Sequence, residues 1–145
     1  MGKISLITYI MLFVLSIFVS FVFASCDQPS NPELDNFAKC ITEKSATMYG
    51  VFWCPHCANQ KKMFGSSFKL INYVECDPRC IRDENNKLST YCNGNIGNPE
   101  LCRQKNVRLY PHWEFSDGTN EEGVMTFEDL AAKSGCSAPV KNKKN

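Results

Sequence analysis

The hydrophobic positions near the start of the polar part of the chain repeat with the period of a helix. Leu34, Phe37, Ala38 and Ile41 lie at positions i, i+3, i+4 and i+7, which places them on one face. Pro32 suits the first position of such a helix, because the N–H that proline lacks is not needed there. This spacing predicts an amphipathic helix that begins at Pro32.

Two extended segments follow, separated by a second helix. Residues 47–53 are apolar on both faces, as in a buried central strand. Residues 71–75 form the second extended run. Between them a short helix is predicted from Pro55 to about Phe64, where Gly65 ends it. This order predicts a strand–helix–strand unit with parallel strands.

The next segment, residues 77–98, breaks the regular pattern. It is rich in Asn and Gly, shows little periodicity and contains Cys80 and Cys92. A stretch of this length without regular structure needs a restraint inside a compact domain, and cysteines can supply one. We therefore treat 77–98 as a cysteine-containing insert, which a bond between Cys80 and Cys92 would close.

The C-terminal half returns to alternating elements. A helix is predicted from Pro99 to about Lys105, followed by an extended segment over 107–115. Asp117-Gly118 is a hairpin turn signal and predicts a further strand near 123–125.

A final helix is predicted after Thr126. Thr126 with Asp129 three residues later resembles a capping box, and Gly135 ends the helix. The predicted order is helix, strand, helix, strand, insert, helix, strand, strand, helix. Such a chain forms an α/β sandwich, in which a mixed central sheet buried on both faces is flanked by helices.

Composition and charge narrow the class of protein. The 145 residues suffice for one domain of ordinary size. Lys and Arg number 16 against 15 Asp and Glu, so the chain lacks the basic excess of a nucleic-acid-binding protein. Nine cysteines exceed the usual level of a cytosolic protein and indicate an oxidising compartment.

The N-terminal segment predicts export. Residues 4–24 are apolar apart from Ser and Thr and follow Lys3, as in a signal peptide, and the run is long enough to span a bilayer. Three interpretations fit: a signal cleaved after Ala24, an uncleaved anchor, or a lipoprotein modified at Cys26, since Phe23-Ala24-Ser25-Cys26 resembles a lipoprotein box. All three predict an extracytoplasmic domain, either periplasmic or secreted and lumenal, in which disulfides persist.

These signals divide the chain into four parts. We predict a signal peptide or membrane anchor over 1–25, a linker over 26–32, a folded domain over 33–136 and a basic tail over 137–145.

Cys54-Pro55-His56-Cys57 follows a buried strand and begins a helix. The free N–H groups at a helix N-terminus favour a thiolate at Cys54, and a protonated His56 adds positive charge. Cys57 lies one turn later on the same face, within reach of a small disulfide ring. Stabilising the thiolate makes the disulfide more oxidising. We expect Cys54 to exchange with substrate and Cys57 to resolve the mixed disulfide.

The same spacing also fits a permanent structural disulfide or half of a zinc site. The strand-to-helix context favours the redox interpretation.

Tyr110-Pro111 begins a strand that should be internal to the sheet. Proline cannot donate a hydrogen bond to a sheet ladder, so a cis Tyr110–Pro111 bond at a turn into the strand would reconcile the pattern. A trans proline in a loop is the alternative.

Together these motifs resemble a thioredoxin-fold oxidoreductase. More closely, the chain resembles the thioredoxin-like domain that is fused or paired with vitamin K epoxide reductase homologues in bacteria and plants. The resemblance covers about residues 33–136, interrupted by the insert. It is carried by these stretches: Phe52 to Cys57, Tyr110-Pro111-His112-Trp113, Phe37-Ala38-Lys39, Met48-Tyr49-Gly50, Gln60-Lys61, Met63-Phe64-Gly65, Tyr73-Val74-Glu75-Cys76, Leu101-Cys102 and Leu130-Ala131.

The resemblance implies a fold, an active pair and a partner. It implies that Cys54 and Cys57 are the active cysteines, that Pro111 is a cis-proline facing them, and that Cys76 pairs with Cys102. It also implies that the protein passes disulfides between secreted or periplasmic protein thiols and a quinone-linked membrane oxidase. No cofactor and no resident metal are expected.

Two positions depart from the family. Thioredoxins carry a buried Asp at the position of Met48, where it relays the proton of the resolving thiol, so its replacement argues against a thioredoxin-like reductase. The residue after the cis-proline is commonly Thr, and here it is His112. We expect His112 to lie beside the cysteine pair together with His56, where it tunes the site or shapes a substrate groove.

The remaining cysteines are predicted to belong to the scaffold. An alternative to disulfides in the central region is a zinc cluster on Cys76, Cys80, Cys92 and Cys102. The helices that carry Cys40 and Cys136 are expected on opposite faces of the sheet, so the pairing of these two cysteines is left unassigned.

Two other classes of function stay open. Cys54, Cys57 and His112 are soft ligands that suit a metal-binding or metallochaperone module. A non-catalytic binding domain stabilised by disulfides is the third alternative.

Overall fold

A computed structural model describes residues 31–140 of the chain. The predicted signal peptide or anchor, Cys26 and the end of the basic tail lie outside the described residues. Within 31–140, no helix combines the length and the apolar character needed to cross a membrane.

The described chain alternates helices and strands in nearly the predicted order. The regular elements are α1 (Pro32–Glu43), β1 (Thr47–Gly50), α2 (Pro55–Phe64), β2 (Tyr73–Glu75), α3 (Pro99–Gln104), β3 (His112–Glu114), β4 (Asn120–Glu122) and α4 (Phe127–Ser134). Short 3-10 helices cover Gly65–Leu70, Pro78–Cys80 and Thr90–Cys92.

The strands form one mixed sheet in the order β2-β1-β3-β4. β1 runs parallel to β2, with Met48 opposite Tyr73, and antiparallel to β3, with Met48 also opposite Trp113. β3 and β4 form an antiparallel hairpin. A mixed sheet flanked by helices, with a cysteine-containing insert after β2, confirms the α/β class and matches a thioredoxin-like fold.

One face of the sheet carries the main aromatic core. The ring of Phe64 on α2 lies 6.3 Å from that of Phe37 on α1, 5.1 Å from Phe127 on α4 and 6.5 Å from Trp113 on β3. Phe37 and Phe127 also meet directly, edge to face, at 5.6 Å. Three helices therefore pack together on the same face.

The other face is built around Tyr49. Its hydroxyl donates to Glu114 at 2.8 Å, and its ring lies edge-on to the ring of His112 at 5.8 Å. Lys105, directly after α3, forms an ion pair with Glu114 and brings the end of that helix against this face.

The expectation that the helices carrying Cys40 and Cys136 lie on opposite faces of the sheet is wrong. The two cysteines form a disulfide with their Cα atoms 6.0 Å apart. The prediction failed because α1 and α4 lie on the same face of the sheet, where Phe37 meets Phe127.

Two further disulfides hold the insert. Cys76 bonds to Cys102, with 5.8 Å between Cα atoms, and ties β2 to α3. Cys80 bonds to Cys92, with 5.6 Å between Cα atoms, and closes the insert on itself. These four cysteines are therefore disulfide-bonded in the structure and do not form the alternative zinc cluster.

Strand boundaries differ most from prediction. The strand predicted over 47–53 ends at Gly50, because the chain turns there towards α2. The strand predicted near 123–125 lies instead at Asn120–Glu122. The side chain of Asp117 accepts the N–H of Thr119 at 2.9 Å, so the turn is tight and pairing resumes at once.

Candidate active site

Cys54 lies at the junction between β1 and α2. Its N–H donates to the carbonyl of Val51 at 3.1 Å, which closes the turn after the strand. The residue caps α2, and its sulfur accepts the N–H of Cys57 at 3.4 Å. The Cys54 thiol in turn donates to the carbonyl of Tyr110 at 3.6 Å. The sulfur thus faces both a helix N-terminus and the loop before β3.

Pro55 and His56 form the exposed first turn of α2. Pro55 occupies the start of the helix, where its fixed φ and missing N–H are favourable. Both side chains are exposed, so the imidazole of His56 can reach solvent and an incoming substrate.

The two cysteines are both buried but differ in exposure. Cys54 is 6% exposed and Cys57 only 1%, and neither forms a disulfide in the structure. The pKa of the Cys57 thiol is raised to about 12, chiefly by burial and also by the neighbouring Cys54, whereas a backbone hydrogen bond at Val51 and the charge of Lys61 oppose the shift. Cys57 is thus held as a neutral thiol near neutral pH, and Cys54 is the more accessible sulfur.

The Tyr110–Pro111 peptide bond is cis. Pro111 is buried, and the carbonyl that accepts the Cys54 thiol belongs to the residue just before it. The carbonyl of Pro111 itself accepts the N–H of Gly123 at 2.8 Å and ties this segment to the end of β4. The structure therefore brings the cis-proline segment against the cysteine pair.

The expectation that His112 lies beside the cysteine pair is wrong, because its side chain lies on the other side of the sheet. Its ring packs against Tyr49, and its Nδ1 is 3.9 Å from the carboxylate of Glu122. The next residue, Trp113, points to the α2 face, and successive side chains of a strand alternate. His112 therefore points away from α2, unlike His56.

This placement bears on the metal-binding alternative. Among residues 31–140, no group of three or more His, Cys, Asp or Glu side chains is positioned to hold a metal ion. Cys54, Cys57 and His112 consequently do not form such a group in the described structure.

The insert braces the residues before Cys54. The indole N–H of Trp53 donates to Asp77 at 2.6 Å, and Arg79 binds the same carboxylate through two nitrogens. The ring of Phe52 stacks on Tyr91 of the insert at 4.7 Å, with the guanidinium of Arg79 4.9 Å from its centre. Sequence analysis did not predict this brace, whose only local signal is Asp77 two residues after the end of a strand.

A buried carboxylate beneath the site was also missed. Glu75, at the end of β2, is 1% exposed. Its Oε1 accepts the N–H groups of Phe52 and Asp77 at 3.2 and 3.1 Å, and its Oε2 accepts the hydroxyl of Tyr73 at 2.8 Å. An acidic residue at the end of a strand that pairs with the central strand was the available signal.

Gly50 allows Cys57 and Tyr73 to pack closely against β1. A Cβ at this position would lie 2.9 Å from the sulfur of Cys57 and 3.1 Å from the ring of Tyr73. Gly50 shows no positive φ, so close approach rather than backbone conformation requires glycine here.

Replacing Gly50 by alanine is expected to destabilise the protein by about 1–3 kcal/mol, because the added methyl group overpacks the contact between α2 and β2. Chemical denaturation of the protein with Cys54 and Cys57 reduced and the three disulfides intact measures this change. A variant with the parental unfolding midpoint would contradict the tight packing at this point.

An open groove lies beside the cysteine pair. Its volume is about 530 Å³, and it is lined by His56, Leu109, Tyr110, Glu122, Gly123 and Val124. Leu109 is 60% exposed and offers an apolar contact next to the carbonyl that faces Cys54.

This geometry agrees with a comparison to known proteins. The chain is similar to a plant thiol–disulfide oxidoreductase. It is 32% identical over 117 residues to Thiol-disulfide oxidoreductase LTO1 of Arabidopsis thaliana. The match covers 80% of this chain but only 28% of the relative, so the chain corresponds to less than a third of that protein. No protein-family model matches the chain.

Proposed function

We propose that the protein is a thiol–disulfide oxidoreductase that exchanges disulfides with secreted or periplasmic protein thiols through Cys54 and Cys57. One observation carries the proposal. Six of the described cysteines are joined in disulfides, whereas the two at the N-terminus of α2 are free, close together and beside a cis-proline carbonyl. The similarity to a named thiol–disulfide oxidoreductase supports the same chemistry.

The exchange proceeds in two thiolate attacks. A substrate thiolate attacks Cys54 of the oxidised pair, the bond between Cys54 and Cys57 breaks, and Cys57 leaves with the electron pair. A second substrate thiolate then attacks the substrate sulfur of the mixed disulfide and releases Cys54. Two electrons pass from the substrate to the pair, and the substrate gains a disulfide.

The environment of Cys54 favours the oxidising direction. Its sulfur accepts a backbone N–H at the positive end of α2, where a thiolate is favoured by the helix dipole. Stabilising the reduced form in this way makes the disulfide a stronger oxidant.

The groove beside Cys54 suits an extended, cysteine-containing segment of an unfolded substrate. A membrane protein that passes electrons to quinone, of the vitamin K epoxide reductase type, would reoxidise the pair. The family resemblance of the sequence supports this partner.

An extracytoplasmic location follows from the same proposal. The apolar run over 4–24 and the three disulfides support export. The exported domain would then be released by cleavage of the signal, held by the uncleaved apolar run or attached through a lipid on Cys26.

A redox titration of the full chain tests the direction. We expect a potential for the Cys54–Cys57 pair near −120 mV, about that of a strongly oxidising protein disulfide, and fast oxidation of a reduced dithiol peptide. A potential near −270 mV, about that of a reducing thioredoxin, would overturn the oxidant assignment.

A further inference from the structure

Attack by Cys57 on a mixed disulfide, which is the reverse of the step in which Cys57 leaves, needs a proton acceptor inside the protein. Cys57 is 1% exposed, and burial raises the pKa of its thiol to about 12. Near neutral pH this sulfur attacks a mixed disulfide only if a neighbouring group takes its proton as it reacts. Water has little access to a sulfur buried to this extent.

The region beneath Cys57 holds a carboxylic acid, and the hydroxyl of Tyr73 lies between that acid and the neighbourhood of the sulfur. The sulfur of Cys57 and the hydroxyl of Tyr73 both lie within 3.2 Å of the point that a Cβ on Gly50 would occupy. Since residue 50 has no Cβ, no side chain separates the two groups there. The Tyr73 hydroxyl donates at 2.8 Å to Glu75, the residue opposite Gly50 in the parallel pair.

The surroundings keep this acid ordered. The second carboxylate oxygen of Glu75 is held by the N–H groups of Phe52 and Asp77, so the side chain has a fixed orientation. The ammonium group of Lys61 lies 3.8 Å from the centre of the Tyr73 ring and favours negative charge in the cluster.

We propose that Glu75 relays the proton of Cys57 through the hydroxyl of Tyr73, an inference that rests on the proposed function. As Cys57 attacks the mixed disulfide, its proton passes to the phenol oxygen of Tyr73, and the phenol proton passes to Glu75. The Cys57 sulfur bonds to Cys54, the bond from Cys54 to the substrate sulfur breaks, and the substrate leaves as a thiolate with the electron pair. In the opposite direction the same path returns the proton to the departing Cys57.

The pH dependence of the relay depends on several charged and titratable groups. Those that face Glu75 from its own strand and from the elements packed against it are Tyr73, Asp77, Lys61, Cys54, Cys57 and Tyr110. The Cys57 thiol ionises without the relay as the pH approaches its raised pKa of about 12, so loss of Glu75 should matter most near neutral pH and progressively less as the pH rises.

The test separates the two attacks in a single reaction. The full chain, carrying Cys26→Ser and with only the Cys54–Cys57 pair reduced, is mixed with the aromatic disulfide dithionitrobenzoate. Attack by Cys54 releases one coloured thiolate, and attack by Cys57 on the resulting mixed disulfide releases a second. For Glu75→Gln we expect the second phase to slow about 100-fold at neutral pH, within the usual contribution of general acid–base catalysis, and the first phase to change less than about twofold.

Two variants guard against a merely structural effect. Tyr73→Phe keeps the ring under Lys61 and removes only the hydroxyl, so it should slow the second phase to a similar extent. Glu114→Gln removes a carboxylate that accepts a tyrosine hydroxyl, that of Tyr49, on the other face of the sheet, and should leave both phases at the parental rate.

Each outcome of this experiment supports or overturns the proposed relay. A slow second phase that recovers as the pH is raised supports the relay. An unchanged second phase in either Glu75→Gln or Tyr73→Phe overturns it, as does a loss that is equal in both phases, independent of pH or shared by Glu114→Gln. A parent protein that shows no first phase contradicts the proposed function itself.

Discussion

Replacing Cys54 by serine is expected to reduce the rate of disulfide exchange about 1,000-fold or more. A serine hydroxyl does not replace a thiolate as nucleophile or leaving group, and Cys57 is too deeply buried to act in its place. The measurement is the initial rate at which the full chain forms a mixed disulfide with a cysteine-containing peptide disulfide, followed by mass spectrometry.

Cys57→Ser is the matched control for this prediction. It keeps the accessible sulfur and removes only the resolving one, so the mixed disulfide should form at the parental rate and then persist. If Cys54→Ser formed the adduct at Cys57 as fast as the parent forms it at Cys54, the two roles would be reversed.

Removing the disulfide between Cys40 and Cys136 is expected to lower the free energy of unfolding by about 4–5 kcal/mol. The two cysteines are 96 residues apart, and a cross-link over so long a loop strongly restricts the unfolded chain. Denaturant unfolding of the Cys40→Ala/Cys136→Ala double variant measures the loss.

Removal of the disulfide within the insert is the control for this prediction. Cys80 and Cys92 are only 12 residues apart, so the Cys80→Ala/Cys92→Ala variant should lose less, about 3 kcal/mol. A larger loss from the insert than from the long loop would contradict the chain-entropy explanation.

Local signals were sufficient for most helices. Pro32 and Gly65 mark helix ends by backbone chemistry that needs no distant partner, and both ends lie where predicted. The pairing of Cys40 with Cys136 could not be predicted, because the local sequence around each residue does not indicate on which face of the sheet its helix packs.

Some residues of the candidate site could likewise be predicted from local sequence, and others could not. The cysteine motif and Pro111 could be recognised from a few adjacent residues. Glu75 could not, because its relation to Cys57 exists only once β2 pairs with β1 and places it opposite Gly50. The argument from Met48 against a thioredoxin-like reductase considered only the acid that the family places on the central strand.

The presence of Glu75 also changes the argument on direction. Absence of an acid at Met48 no longer distinguishes an oxidant from a reductase, since a neighbouring strand supplies a carboxylate. The oxidising assignment therefore rests on the surroundings of Cys54, which the potential of the pair measures directly.

The bond between Cys40 and Cys136 gives the domain a closed covalent topology. It turns the chain between these residues into one ring, and the other two disulfides lie inside it. A protease that cuts the backbone once anywhere within the ring opens it without separating the pieces. A nicked molecule would therefore keep its full mass under non-reducing conditions, with Cys54 and Cys57 still attached to the rest of the domain.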